Sequence, residues 1–439
     1  MKGESSMSKN PLLFHGEWWV PAEADLDNQG LFPMVHKGHE AKHTGTLTYY
    51  EDNVSTLEFY HVPSHFQAKL HRNNEVMWGA DANGRIFTLF NIVMRSNNDS
   101  AGLTATVFEV GLILIGEHVL SLKEPEYNRC VVQFPYLRNW AFHDNLINSQ
   151  KDRSRLQPII SLSKLVSLVE AQVDDAITWV LRDKVAVNRS EYDLSINQLT
   201  EFVIDVDKAT PIDTFLKHIR EFSQFLSVAL YGEQSPIEVI LYRKTQNRSV
   251  QLLFKKDNSI DPHANKLIKF DELKEQVPAM LRVWHQNYDK IAPISSYLVD
   301  SLRKKNEFSV PDFLIIAQAL DGYHKRFVNK KNGKDIKKYE EQIKVLLNQF
   351  KDVQVIQECN IDPEVLKDTR HKYSHLYPDD EKSKAVEGDE LYWLTEKCKI
   401  LLTCCVLNMM GLTNAEINLC CNTPAIKRML GYLPFAFDY

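Results

Sequence analysis

The hydrophobic pattern of this chain changes period near Phe270, and that change limits it to a β-rich part followed by a helical one. From about Leu12 to Trp140, short runs of aromatic and β-branched residues alternate with turn chemistry. Gly45–Tyr50, Ile86–Phe90 and Thr104–Phe108 are three such runs. Asn83-Gly84, just before the second, suits a tight hairpin because both residues tolerate positive φ. Trp18 and Trp19 fit the packing of a small β core better than a ligand platform. Residues 151–270 mix the two periods. Thr210-Pro211 is expected to cap a helix bearing Phe215, Ile219, Phe222 and Leu226, and strands follow at Ile237–Tyr242 and Val250–Phe254.

Beyond Phe270 only helices are expected. They cover Val277–Lys304, a stretch opened by Val310-Pro311-Asp312 that runs to Phe327, Tyr339–Phe350, a helix opened by Asp362-Pro363 and stopped by Pro378-Asp379-Asp380, and Glu390–Met410 ended by Gly411. Short polar links between helices are the layout of a bundle. At 439 residues the chain exceeds one ordinary core. The expected division is a disordered tail at 1–10, a β-rich domain at 11–150, an α+β part at 151–270 and an all-α domain at 271–439.

Several function classes drop out. A chain that is 44% hydrophobic and 25% charged is neither fibrous nor wholly disordered. Its net charge of -6 does not announce a nucleic-acid binder, although a net value conceals local patches. The seven cysteines are odd in number and form no C-x-x-C, which argues against a disulfide framework or zinc knuckle and for buried thiols in a reducing cytosol. Met1–Asn10 lacks the apolar core of a secretory signal, and Val110–Ile115 is too short to span a membrane. A cytoplasmic location without membrane contact is therefore expected. No phosphate loop or G-x-S-x-G occurs.

The stretch that can do chemistry is Arg370-His371-Lys372-Tyr373-Ser374-His375 on the fourth C-terminal helix. Val365, Leu366, Thr369 and Leu376 can supply its core-facing stripe, leaving the basic residues outward. Arg suits anion binding and His suits proton transfer near neutral pH. On an ideal helix, positions five apart lie about 140° apart, so Arg370 and His375 do not share a face, whereas His371 and His375 do. Convergence of Arg370 and His375 needs a helix end, a kink or a second copy of the helix. Arg-x4-His is weak as a signal, since Arg138–His143 repeats it, there as an expected strand-end turn with Trp140 and Phe142 buried. His371 and His375 as a metal pair lack an evident third ligand, so no metal or cofactor is assigned.

The C-terminal part resembles the HEPN (higher eukaryote and prokaryote nucleotide-binding) superfamily. Its signature is Arg, then Asn, Asp or His, then three residues and His, matched by Arg370 to His375. Phe313–His324 and Leu391–Leu412 also look like this family, and within it the ApeA type is most similar, on the strength of Phe14–Pro21 and Phe134–Trp140. The resemblance implies a β-rich (α+β) N-terminal region followed by a HEPN helical bundle. It further implies a metal-independent endoribonuclease of bacterial anti-phage defence, dimeric or of higher order, with two motif copies forming one site. RNA is the implied substrate, and a phage-derived trigger a candidate partner of the N-terminal region. Carried over, His375 acts as general acid or base, Arg370 stabilises the charge on phosphorus and His371 orients. The expected products are a 2′,3′-cyclic phosphate and a 5′-hydroxyl.

Lys372 and Tyr373 are candidates for support. Asp321 lies where related families often carry a polar residue near the site, and an ordinary solvated helix charge fits it equally. Lys325, Arg326, Lys330 and Lys331 head a basic run that could guide an RNA backbone or simply form a solvated loop. The alternative to a nuclease is a non-catalytic HEPN module binding nucleotides or proteins. Retention of both Arg370 and His375 favours catalysis.

Overall fold

The structure, a computed structural model, describes residues 10–21, 42–60, 76–100, 103–141, 147–150, 159–162, 166–189, 194–244, 249–256, 266–303, 308–329, 336–376, 378 and 383–431. The expected tail lies outside these save for Asn10.

Six strands close into an antiparallel barrel: β1 (Leu12–Trp19), β2 (His43–Tyr49), β3 (Ser55–Tyr60), β4 (Val76–Asp81), β5 (Ile86–Ser100) and β6 (Leu103–Ile115). They pair in the ring β1-β2-β3-β6-β5-β4-β1. Every second residue points inward, so Phe14, Trp18, Leu47, Leu57, Phe59, Phe87, Leu89 and Phe108 fill the interior. Trp18 is fully buried, donates Nε1–H to the Gly45 carbonyl at 3.2 Å and faces Gly79 across the β1–β4 ladder. Trp19 is buried beneath the Lys42 ammonium. Trp18 packs the barrel core, as expected, whereas Trp19, the next residue along the strand, is buried on the opposite face against His118 and Lys42. The β4–β5 turn differs from the expected one: Gly84 alone takes positive φ, and the Asp81 carboxylate organises the loop by accepting the Asn83 and Arg85 amides.

The end of β6, still paired with β5 on one edge, joins on its other edge a second sheet made of β7 (Pro125–Gln133), β10 (Val166–Asp174), β11 (Ile177–Arg189), β12 (Leu194–Pro211), β13 (Glu238–Tyr242) and β14 (Ser249–Phe254). Its order is β10-β11-β12-β7-β13-β14-β6. Between β7 and β10 come a one-turn helix, α1 (Leu137–Trp140), and a small hairpin of β8 (Ile147–Gln150) and β9 (Ile159–Leu162). Because β7 is inserted between β12 and β13, strands from 11–150 and 151–270 alternate in one sheet and no break falls at residue 150. Helix α2 (Ile212–Ala229) covers this sheet through Phe215, Ile219, Phe222 and Leu226, with the Phe222 ring stacked 3.8 Å from Phe202. Its start corrects one expectation. Thr210 does not cap it; the Thr210 hydroxyl bonds to the Lys208 carbonyl, Pro211 closes β12, and the Leu122 carbonyl satisfies the Asp213 amide instead.

The remainder of the described chain is helical. It comprises α3 (Phe270–Leu273), α4 (Val277–Arg303), α5 (Val310–Tyr323), a π-helical turn (His324–Val328), α6 (Tyr339–Gln349), α7 (Gln354–Cys359), α8 (Pro363–His375), α9 (Gly388–Met409), α10 (Asn414–Cys421) and α11 (Pro424–Met429). Local chemistry sets the ends. Ser309 and Asp312 form a capping box at α5, and Gly411 takes φ 95° just past α9. Helix α4 packs against β10 and α2 on one side and α5 and α9 on the other, so one apolar core runs from the second sheet into the bundle. All seven cysteines are buried free thiols. No described helix is long and apolar enough to cross a membrane. The architecture is thus a barrel with an added sheet followed by a helical bundle, which bears out the expected β-rich region and helical part.

Candidate functional site

Helix α8 carries the Arg370–His375 hexapeptide, and its position follows from local rules. The Asp362 carboxylate caps the start by accepting the Glu364 amide at 2.8 Å, with Pro363 at the first helical position. Leu366 and Thr369 are buried against the bundle. The Thr369 hydroxyl donates to the Val365 carbonyl and accepts the Val386 amide at 3.1 Å, fastening the segment before α9 onto α8. The same strap is held by Asp368, which accepts the Lys384 amide, and by Lys384 and Glu364 at 2.5 Å. Burial disfavours the charge on Asp368, but the Lys384 amide and the Lys367 ammonium outweigh it and hold the carboxyl below its ordinary range.

The helix stops earlier than Pro378-Asp379-Asp380 would require. Leu376 turns into the left-handed region at φ 53° and ψ 41°, and its amide bonds to the Lys372 carbonyl. That turn also overturns the place given to Leu376 in the core stripe. Once the helical phase is lost the side chain swings out and is 86% exposed. Tyr373 takes up the packing instead, with its ring 6.5 Å from Phe313 and its hydroxyl donating to the Val386 carbonyl at 3.4 Å. Lys372 forms an ion pair with Glu387. Both candidate supporting residues therefore tie α8 to the strap.

Arg370 points inward. Its guanidinium carbon lies 4.5 Å from the centroid of the Tyr339 ring at the start of α6, and Nη2 lies 3.7 Å from Asp321 Oδ2 on α5. Asp321, with a side chain only 14% exposed, also holds Lys325 at 2.9 Å. It links α5 to α8 and is more than a solvated charge. Tyr339 is buried and donates its hydroxyl to the Ala317 carbonyl at 3.1 Å, which fixes the ring under Arg370. Sequence reasoning missed Tyr339 as a site residue. An aromatic opening a helix is an ordinary core residue in any linear pattern, and only the packing of α6 on α8 reveals its second face.

The other motif residues lie elsewhere on the helix. His371, Ser374 and His375 are exposed, and the rings of His371 and His375 are 4.8 Å apart at 52°. The structure thus makes two groupings: Arg370 with Asp321, Lys325 and Tyr339, and His371 with His375. A guanidinium clamped by an aromatic face and a carboxylate, with about a third of its side chain reaching solvent, can take a phosphate oxygen without reorganising. An exposed imidazole can exchange a proton with a bound ligand.

Within the basic run, Lys325 is engaged by Asp321, and Arg326 donates to the Lys290 carbonyl at 2.7 Å. Lys330 and Lys331 lie outside the described residues. The second Arg-x4-His copy sits in a different context. Arg138 is exposed on α1, while Trp140 is buried and donates to the Ile268 carbonyl at 2.8 Å. Phe142 and His143 lie outside the described residues.

Two family models match the chain. Residues 13–284, more than half of it, match ApeA N-terminal domain 1, and residues 314–416 match Apea-like HEPN. The second match contains Asp321, Tyr339 and the whole of α8. Comparisons with curated proteins and with solved structures give no match.

Proposed function

This chain belongs to the ApeA-type HEPN family, and on that premise we propose that it is an anti-phage effector that cleaves RNA without a catalytic metal. The observation that carries the reading is the clamping of Arg370 by Asp321 and Tyr339 on the helix that also presents His371 and His375 to solvent. A structural arginine needs no such exposed neighbours, whereas a phosphoryl-transfer site needs a fixed cation beside groups that move protons.

In the proposed reaction an RNA 2′-hydroxyl gives its proton to an imidazole, with His375 in that role. The 2′-oxygen attacks the adjacent phosphorus, and the bond to the 5′-oxygen breaks as that oxygen takes a proton from a protonated His375 imidazole. The strand then ends in a 2′,3′-cyclic phosphate, and the released strand begins with a 5′-hydroxyl. Arg370 stabilises the added negative charge on the non-bridging oxygens, and His371 orients the ribose or His375. Arg370 and His375 leave α8 about 140° apart, so the site is completed by α8 of a second copy across a two-fold axis. The barrel and its added sheet serve as the sensor or regulator.

The test is cleavage of cellular RNA by the purified full chain, with product ends mapped for cyclic phosphate. Arg370→Ala or His375→Ala should lower the rate by roughly 10²–10⁴-fold, the range for losing a charge-stabilising donor or a general acid–base group. Arg138→Ala should leave it unchanged. Full activity of His375→Ala would overturn the mechanism, and RNA binding without cleavage by the wild type would favour a non-catalytic module.

A further inference from the structure

A second constellation of ligating side chains lies away from α8, where α2 meets α4. His218 and Glu221, three apart on α2, share a face of that helix, and His285 meets them from α4. Glu221 Oε2 is 2.7 Å from His285 Nδ1 and 3.6 Å from His218 Nδ1. The two imidazole rings are 5.2 Å apart. Trp179 of β11 closes over both, edge to face, at 5.8 and 5.6 Å. His218 and Glu221 are buried, and the His285 side chain is only 16% exposed.

A purely structural ion pair explains only part of this arrangement. The Glu221–His285 contact satisfies one carboxylate oxygen and one ring nitrogen. It leaves His218 Nδ1, Glu221 Oε1 and the Trp179 indole N–H buried without a hydrogen-bond partner. Groups of this kind are costly to leave unmatched; the His218 nitrogen and the Glu221 oxygen can ligate a cation and point to a missing occupant, whereas the indole N–H is a donor and cannot. Lys217 Nζ stands 3.9 Å from Glu221 Oε1, but its side chain is more than half exposed and free to withdraw.

One ligand atom from each of His218, Glu221 and His285 lies within 4.8 Å of the other two. Tetrahedral ligands about 2.0–2.2 Å from zinc sit roughly 3.3–3.6 Å from one another, so on binding the widest separation closes by roughly 1–1.5 Å and the 2.7 Å Glu221–His285 contact opens. Two imidazoles and a carboxylate suit a borderline divalent ion and are poorly matched to calcium or magnesium, which take all-oxygen shells.

We propose that His218, Glu221 and His285 bind one borderline divalent transition ion, Zn²⁺ foremost, with water as the fourth ligand. The ion clamps the helix covering the second sheet to the helix that runs into the bundle. Its ligands are not the residues proposed to act on RNA, so the clamp is separate from the cleavage site.

The test uses the full chain freed of metal by dialysis, titrated with Co²⁺ by visible absorption and with Zn²⁺ by calorimetry. One equivalent should bind, with tetrahedral Co²⁺ absorption and a rise in melting temperature. Glu221→Gln and His285→Gln, which keep side-chain volume near native, should each weaken Zn²⁺ binding by more than tenfold. Circular dichroism of each variant reports its folding, and two variants guard against the failure of one. A His371→Ala, His375→Ala double variant should bind as the wild type does. Absence of binding by the folded wild type, unaltered affinity in folded Glu221→Gln and His285→Gln, or loss of binding in the His371/His375 variant would each overturn the proposal.

Discussion

Replacing Leu376 with glycine should act in opposite directions on the isolated chain and on its self-association. Leu376 holds φ 53°, where an L residue is disfavoured by about 1–2 kcal/mol and glycine is not. Its side chain is 86% exposed, so deleting it costs the single chain almost no burial. Glycine's greater freedom in the unfolded state offsets part of the relief, leaving a net gain of about 1 kcal/mol. For a domain of this size that raises the melting temperature by roughly 2–4 °C. In the proposed dimer the same leucine, next to His375, lies where two α8 helices meet. Full burial of a leucine contributes about 1.5–3 kcal/mol, so its loss should weaken the dimer by roughly tenfold or more. Thermal melts at high dilution and sedimentation velocity across a concentration series separate the two effects. Leu376→Asn, which also tolerates left-handed backbone, should weaken association similarly and stabilise less. A lower melting temperature at dilution, or a dissociation constant that does not change, would refute the reasoning.

Tyr339→Phe keeps the ring beneath Arg370 while removing the donor to the Ala317 carbonyl, so stability should fall by about 1 kcal/mol with RNA cleavage retained. Tyr339→Leu removes the ring and should slow cleavage by roughly 2–30-fold, the range set by a cation–π contact of about 0.5–2 kcal/mol, read from initial rates. In the barrel, a Cβ at Gly79 would lie 2.1 Å from Trp18 Cε3, so Gly79→Ala should destabilise by about 1–3 kcal/mol or more, seen in melts followed by near-ultraviolet dichroism. Asp368 has a carboxyl held below its ordinary range, so it stabilises the strap above that range and the contribution is lost as pH falls through the depressed value. Asp368→Asn should therefore flatten the acid limb of the melting-temperature profile below about pH 4.

Helix ends were legible because their chemistry is local. Ser309 with Asp312, Asp362 with Pro363, and Gly411 each act on amides or carbonyls within a few residues. Barrel closure was not legible, since β1–β4, β3–β6 and β6–β14 pairings join strands by register across long separations, and no local pattern encodes which strand lies next. The same reason hid the insertion of β7 between β12 and β13, which makes a boundary at residue 150 impossible to see as a break in the sheet. At the site, the hexapeptide was visible but its surroundings were not. Asp321 and Tyr339 reach Arg370 only because α5 and α6 both pack on α8. Leu376 was misplaced because extending the stripe from Leu366 and Thr369 assumes one more helical residue, and the left-handed turn cancels the phase.

The division within α8 has a kinetic consequence. Arg370 is anchored inward by Tyr339 and Asp321, whereas His371 and His375 stand exposed around the helix. A single copy can therefore offer Arg370 to a phosphate while its own His375 faces another direction, and under the proposed mechanism it lacks part of what cleavage needs. In the proposed dimer, two copies related by a two-fold axis would bring the histidines of one helix toward the arginine of the other. If that shared site is the active one, cleavage should rise with about the square of protein concentration below the dimer's dissociation constant and become linear above it. Initial rates over a dilution series, set beside the dissociation constant from sedimentation, measure this directly. The steeper dependence should extend to higher concentration in Leu376→Gly, because its dimer is weaker. Rates strictly proportional to protein concentration throughout the range where the dimer dissociates would show that one copy suffices, and the site would then have to be sought within a single chain.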